Sequence, residues 1–471
     1  MDRPLPPPDP RTRRTSHENR PTRRPNYRLR RAAVLGAVAV VGAGAVAVAV
    51  IQRDGDDEGP GDELPAWDAI AVIDGRGDGL VILDDDGEER SRMSTGVDGA
   101  TSAFSRAGYL AFVGDDRVAI VDVGSDEVRA VDVPEGSLVV PAPQTQEFAL
   151  IAVPPVGGDG LVITPDDEFA LREISGLDDA LFLPTSVQVT PDARYVITAD
   201  ARSFQTVVIP TDGGDPTFAP GLAVGIVGDD LVTAQTAGPE TEIAVRPIGG
   251  GDDADERTFT VPTARGVLLA PDGRLVVVSD DGSVTTTTTT AADPDDGEDI
   301  DLAGEEIDRV VPFPAGERMV VVSGTRIVVV DSDGVTVGAV DGSLTSTPLS
   351  AAMPRCVPIT TGEGALTFLD LETAELLGEP VEDVEQVAAA MSADGCTATF
   401  LGAGGPATSV WQDGERLDLG DVERVLAIAP DGSAAIVASG EDVMLRSLTD
   451  LDDEGTELGA LDANRYAFVE D

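Results

Sequence analysis

At 471 residues the chain exceeds what one ordinary hydrophobic core supports, so several domains or a repeated unit are expected. Hydrophobic residues make up 42% but aromatics only 4%, which favours strands of Val, Ala, Leu and Ile over an aromatic-lined surface. A formal net charge of −54 argues against binding nucleic acid or anionic lipid and favours solubility at high salt. Lysine is absent, all 32 basic residues being arginine, and the acidic, Ala- and Gly-rich composition fits a GC-rich bacterial genome.

Charge divides the chain. Residues 1–31 hold ten arginines against Asp2, Asp9 and Glu18, a net of +7 that leaves −61 for the rest. Seven prolines lie in the same stretch, which cannot bury a core and is expected to be a disordered basic tail. From Ala32 to Ile51 there are 20 uncharged residues, enough for a helix of ~30 Å, the thickness of a hydrocarbon core. Arg28, Arg30 and Arg31 precede this span and an acidic run from Asp54 to Glu58 follows it. The positive-inside rule then puts the N-terminus in the cytoplasm and the C-terminal domain outside a single-pass cell-membrane anchor. Two other readings share that export direction: a signal peptide cleaved near Ala47-Val48-Ala49, or a twin-arginine signal from Arg30-Arg31.

An acidic linker at 52–64 leads to a region, 65–471, that repeats itself. "LAPDGRLVVVSDDGSVTTTTTT" from Leu269 shows the pattern: a Pro-Asp-Gly turn, an apolar strand, an acidic turn, then a threonine-rich strand. Pro presets the first turn angle, Asp caps it and Gly takes the positive φ. Clearer copies begin at Phe104, Val189, Phe313, Met391 and Ile428, and weaker ones fill the gaps. About ten units near 40 residues each are counted, four strands to a unit. That period predicts an all-β fold, a β-propeller of four-stranded antiparallel blades. Rings of seven or eight blades are commoner, so blade number stays open between seven and ten.

The turn motifs are Thr190-Pro191-Asp192-Ala193-Arg194, Ala270-Pro271-Asp272-Gly273-Arg274 and Ala429-Pro430-Asp431-Gly432-Ser433. In them the chain resembles the YVTN/YncE-like and TolB-like propellers, of the broader WD40-like class, over about residues 66–471. The resemblance implies a fold and no particular activity. Close WD40 relatives are not implied, because the repeats lack a terminal Trp-Asp and a Gly-His pair. The first unit, from Ala66, lacks a leading strand, whereas "NRYAFVED" at the C-terminus is an orphan strand; pairing the two would close the ring.

Residue absences narrow the chemistry. His17 is the single histidine and precedes the proposed anchor, so the exported region holds none for a catalytic triad, zinc site or haem ligation. Without lysine there is no Schiff-base chemistry. Carboxylates are abundant, and Asp84, Asp86, Asp331 and Asp333 fall in Asp/Gly clusters that offer oxygen ligands to Ca²⁺. Neither cluster completes an EF-hand loop pattern, and a turn-capping role is the competing reading, so no metal or other cofactor is expected. Arg76-Gly77-Asp78 lies in a Gly/Asp-rich turn where such a tripeptide arises by chance. Cys356 and Cys396, 40 residues apart at the start of the second strand of their units, are expected to form a disulfide between blades.

These features point to a non-enzymatic binding, scaffold or sensor module displayed at a bacterial cell envelope. Its partners would be the membrane, through Ala32–Ile51, and a protein or envelope ligand on the propeller face. A carboxylate-based glycan hydrolase is the first alternative. A catalytic propeller needs inward Asp/Glu on its inner strands, yet segments such as "GVLLAPD" and "VLAIAPD" are apolar or small. The second alternative is an acidic structural propeller without a specific ligand.

Overall fold

The computed structural model describes residues 66–470, apart from connecting stretches of which the longest are 142–147, 154–159, 172–187, 249–255, 346–354 and 403–408. The basic tail, the apolar segment Ala32–Ile51 and the acidic linker lie outside the described residues. Among the described residues no helix is long and apolar enough to cross a membrane.

Among the described residues forty strands form ten four-stranded antiparallel sheets, nine of them simple meanders and the tenth completed by a strand from the far end of the region. Numbered along the chain, blade one is 67–94 with 464–470, blade two 102–132, blade three 138–171, blade four 188–220 and blade five 222–262. Blade six is 264–296, blade seven 309–341, blade eight 343–381, blade nine 384–417 and blade ten 424–460. The count of ten units read from the turn spacing is thus the number of sheets.

The middle strands explain why the sheets stack. Arg274–Ser279, Arg318–Ser323 and Arg326–Asp331 carry unbroken valine-rich runs whose central residues are all buried. A strand with both faces covered has no polar face, so its sequence shows no alternation. The fourth strands Thr336–Asp341 and Arg257–Pro262 instead leave most side chains exposed or half-buried, as an outer edge requires.

Apolar clusters lie between successive sheets rather than within one. Ala111, Val118 and Ile120 of blade two pack with Leu150, Ala152 and Ile163 of blade three. The same holds from blade four through blade ten. Blade one meets blade ten through Ile70, Phe468, Ile436 and Leu445, and blade two through Ile82, Val469, Phe112 and Val121. The chain passes from blade three to blade four through 172–187, outside the described residues. Sheets packed face to face in succession, with first strands touching at the six–seven, nine–ten, ten–one and one–two junctions, form a β-propeller whose first strands are innermost.

The closing strand behaves as its sequence predicts. Asn464–Glu470 pairs antiparallel with Trp67–Asp74, bringing Tyr466 opposite Val72 and Phe468 opposite Ile70. Blade one therefore takes its innermost strand from the other end of the region. Trp67 stacks edge-on against Phe468 at 4.8 Å between ring centroids and donates its indole N–H to Ser433 Oγ of blade ten at 3.1 Å.

The threonine run needs one correction. The third strand of blade six is Val284–Thr288, not the whole run. Thr289 is buried, and its backbone N–H bonds to the Gly273 carbonyl at 2.9 Å, so the last two threonines turn the chain. Blade-to-blade approach also restricts glycines: Gly378 of blade eight and Gly414 of blade nine have positive φ, and each one's backbone fills the space a Cβ would need on the other.

Candidate functional site

The repeat turns join first to second strands. In blade six the Gly273 N–H bonds to the Ala270 carbonyl at 2.9 Å, Gly273 adopts φ 86°, and Asp272 Oδ1 accepts the Arg274 N–H at 3.1 Å. Blade ten repeats this, with Gly432 N–H to Ala429 O at 2.9 Å and Asp431 Oδ1 accepting the Ser433 N–H at 2.9 Å. Pro271 and Pro430 occupy the leading corner of these turns. Pro191 and Asp192 of the third motif lie outside the described residues.

Arg274 turns the motif into a link between blades. Its guanidinium reaches Asp272 at 2.6 Å, Glu317 at 2.6 Å and Asp333 at 2.8 Å, the last two on blade seven. Burial opposes its charge, but hydrogen bonds to Asp333 and Asp272 and the charges of Glu317 and Asp272 overcome that and raise its pKa.

Of the four aspartates weighed as Ca²⁺ ligands, Asp84 and Asp331 cap turns and Asp333 pairs with Arg274, while Asp86 takes part through its backbone N–H. Asp84 Oδ1 accepts the N–H groups of Asp86 at 3.1 Å and Glu88 at 2.7 Å. Asp331 Oδ1 accepts those of Asp333 at 3.0 Å and Val335 at 2.9 Å, while Asp333 serves Arg274. Among the described residues the group of potential metal-ligating side chains is a different one, Cys356, Cys396 and Asp413. Its two sulfurs are joined in a disulfide, with Cα atoms 4.9 Å apart, which bridges blades eight and nine. Beside it Asp370, 2% exposed, receives Arg355 at 3.0 Å.

A hydrolytic general acid needs a carboxyl whose pKa is raised. The described carboxyls with a shifted pKa, Glu89 and Asp281, are both lowered, by hydrogen bonds from Arg92 and Ser283 respectively.

The structure adds a feature that the apolar inner-strand segments hid. Inner strands begin earlier than those segments suggest, and four carry an exposed arginine at their first or second residue: Arg309 and Arg424 at the first, Arg265 and Arg465 at the second. Three hold one register position, Arg309 opposite Val322, Arg424 opposite Ala438 and Arg465 opposite Ile73, each facing the penultimate residue of the second strand. Arg265 lies at the corresponding bulge, between the Ala264–Ser279 and Gly266–Val278 pairs. Among the described residues no hydrogen bond or ion pair engages these four guanidinium groups. By contrast Arg90, Arg92, Arg117, Arg246, Arg257, Arg274, Arg326 and Arg355 all pair with carboxylates. The signal was present in the sequence as an arginine one or two residues before each apolar run, but it has no meaning until the register is known.

No family model matches the chain, and no curated protein matches it in sequence. Solved structures resemble it distantly. A eukaryotic initiation factor is 12% identical at a TM-score of 0.42, covering 86% of this chain and 97% of that one. Apo AztD from Citrobacter koseri is 10% identical at 0.35, covering 68% and 95%. The β-propeller domain of Cps50 (Swd1) from Myceliophteria thermophila is 13% identical at 0.28, covering 59% and 94%. The propeller architecture stands on the sheet pairing and the clusters between blades, not on these likenesses.

Proposed function

We propose that this chain is a non-enzymatic binding or scaffold module, a β-propeller held outside a bacterial cell membrane by Ala32–Ile51. The observation that carries the reading is where the polar groups go. Turn aspartates cap turns or link blades, the shifted carboxyls hold their charge more firmly, and the inner edge presents four exposed arginines with no partner among the described residues. Such an edge is equipped to bind rather than to transfer protons. The apolar segment, its basic flank and the acidic run beyond it support the anchor and its orientation.

The test is to express the full chain in a bacterium, fractionate the cells and add protease to intact spheroplasts. The expected result is a membrane-bound chain whose propeller is degraded from outside. Recovery in the cytosol, protected from protease, would overturn the placement. A shortened, freely released propeller would show that the anchor is cleaved.

A further inference from the structure

The four unpaired arginines are grouped by the fold. Blades six and seven are adjacent, and so are blades ten and one, with blades eight and nine between the two sets. Arg265 and Arg309 are brought side by side by their neighbours. Gly266 has no room for a Cβ because Val310 lies against it, so the two inner strands are in close contact next to these arginines. Arg424 and Arg465 sit on inner strands that also touch, with Tyr466 and Phe468 packed against Leu426 and Ala427.

Their isolation runs against the composition. The chain has 86 carboxylates to 32 basic residues, and arginines elsewhere on the blades find acidic partners. Acids do lie nearby: Asp308 precedes Arg309 and Glu423 precedes Arg424. Asp308 is turned away, its Oδ2 accepting the Gly324 N–H at 2.7 Å. Among exposed described arginines without a partner, only Arg416, on the outer strand of blade nine, lies elsewhere.

We propose that the arginine pairs Arg265/Arg309 and Arg424/Arg465 form a binding site for phosphomonoester groups at the inner edge of the propeller. The inference rests on the binding-module reading and names its ligand class. Two guanidinium forks carry +2, which matches the roughly −1.5 to −2 of a phosphomonoester near neutral pH. Arginine suits this task better than an ammonium would, because its planar donors engage two oxygens at once. A single carboxylate is the weaker fit. It carries half the charge and competes with the protein's own carboxylates, which are present at high local concentration. A long polyanion is disfavoured as well, because it would have to cross the surrounding acidic surface. The phosphate can belong to a small molecule or to a membrane headgroup, since the recognised chemistry is the same.

The test uses the purified full-length chain and inorganic phosphate as the probe, read by calorimetry and by thermal unfolding. Phosphate is expected to bind and to raise the unfolding temperature. Binding should weaken as salt rises, and again as falling pH converts inorganic phosphate from its doubly to its singly charged form. R265Q/R309Q and R424Q/R465Q should each weaken binding at its own pair by about tenfold or more, leaving the other pair's phosphate site intact, while R416Q leaves both unchanged. All four side chains are exposed, so the variants should unfold at the wild-type temperature without phosphate, which separates lost binding from lost folding. Phosphatidylcholine vesicles doped with phosphatidic acid, set against free phosphate, tell a headgroup from a soluble ligand. Equal phosphate binding by the variants, or none by the wild type, overturns the site. Tight binding of an oligo-glutamate peptide in place of phosphate overturns it in favour of an acidic protein partner. A chain that binds phosphate but fractionates with the cytosol would sink the envelope placement and leave this site standing.

Discussion

Arg274 shows how a single residue of the repeat acquires a task that its motif does not state. The Pro-Asp-Gly-Arg turn is local chemistry, complete within blade six. The guanidinium is 28% exposed and joins Glu317, itself 23% exposed, with Asp333 on the next blade. Removing it strands Glu317 partly out of water with only Ser332 Oγ, at 2.9 Å, still donating to it. Arg274→Ala is expected to destabilise by about 1–3 kcal/mol in denaturant titrations, with the slope unchanged. Arg274→Lys should recover only a fraction of that, because one ammonium cannot span three carboxylates. Wild-type stability in the alanine variant would show the link to be ornamental. The four inner-edge arginines present the opposite case, for nothing in their own sequence neighbourhood separates them from arginines that are paired.

At the level of strands, closure and the disulfide are separate devices. Asn464–Glu470 contributes Tyr466, Phe468 and Val469 to the cores on both sides of blade one. Burying each such side chain is worth about 1.5–3 kcal/mol, so deleting 465–471 should cost several kcal/mol and lower the thermal midpoint of the whole propeller. An unchanged midpoint would mean that blade one does not depend on its borrowed strand. The Cys356–Cys396 bridge closes a loop of 40 residues and should stabilise by about 4 kcal/mol in the chain-entropy model. A C356A/C396A variant should show that loss, and labelling of the unreduced wild type should find no free thiol. Closure was legible because an orphan apolar strand at one end matched a unit without a leading strand at the other. The pairing of the cysteines was legible because equivalent positions in successive units are neighbours. The end of the threonine strand was not, since six identical residues carry no register and tertiary contact with Gly273 decides where the strand stops.

Across the whole molecule the dominant fact is charge. With −61 beyond Ile51, self-repulsion opposes the compact state, and salt should relieve it. Raising ionic strength from about 0.01 M to about 1 M shortens the screening length from about 30 Å to about 3 Å. The unfolding temperature should rise over that range, and a flat response would show that repulsion does not limit stability.

The sequence by itself determined the repeat, the antiparallel meander and the chemistry of the turns, while the number of blades, open between seven and ten, was decided by the sheet pairing. Each of the first three is set by residues near one another in the chain: a Pro-Asp-Gly corner, a valine run, a period of about 40 residues. Only the tertiary structure decided which arginines are neutralised and which are left exposed on the inner strands. Residues such as Arg265 and Arg309, or Arg424 and Arg465, share an edge because successive sheets place equivalent register positions side by side. Pairing with an acid depends on distance in space, and in a chain with acids in almost every turn no local pattern reveals which arginine the fold keeps out of their reach.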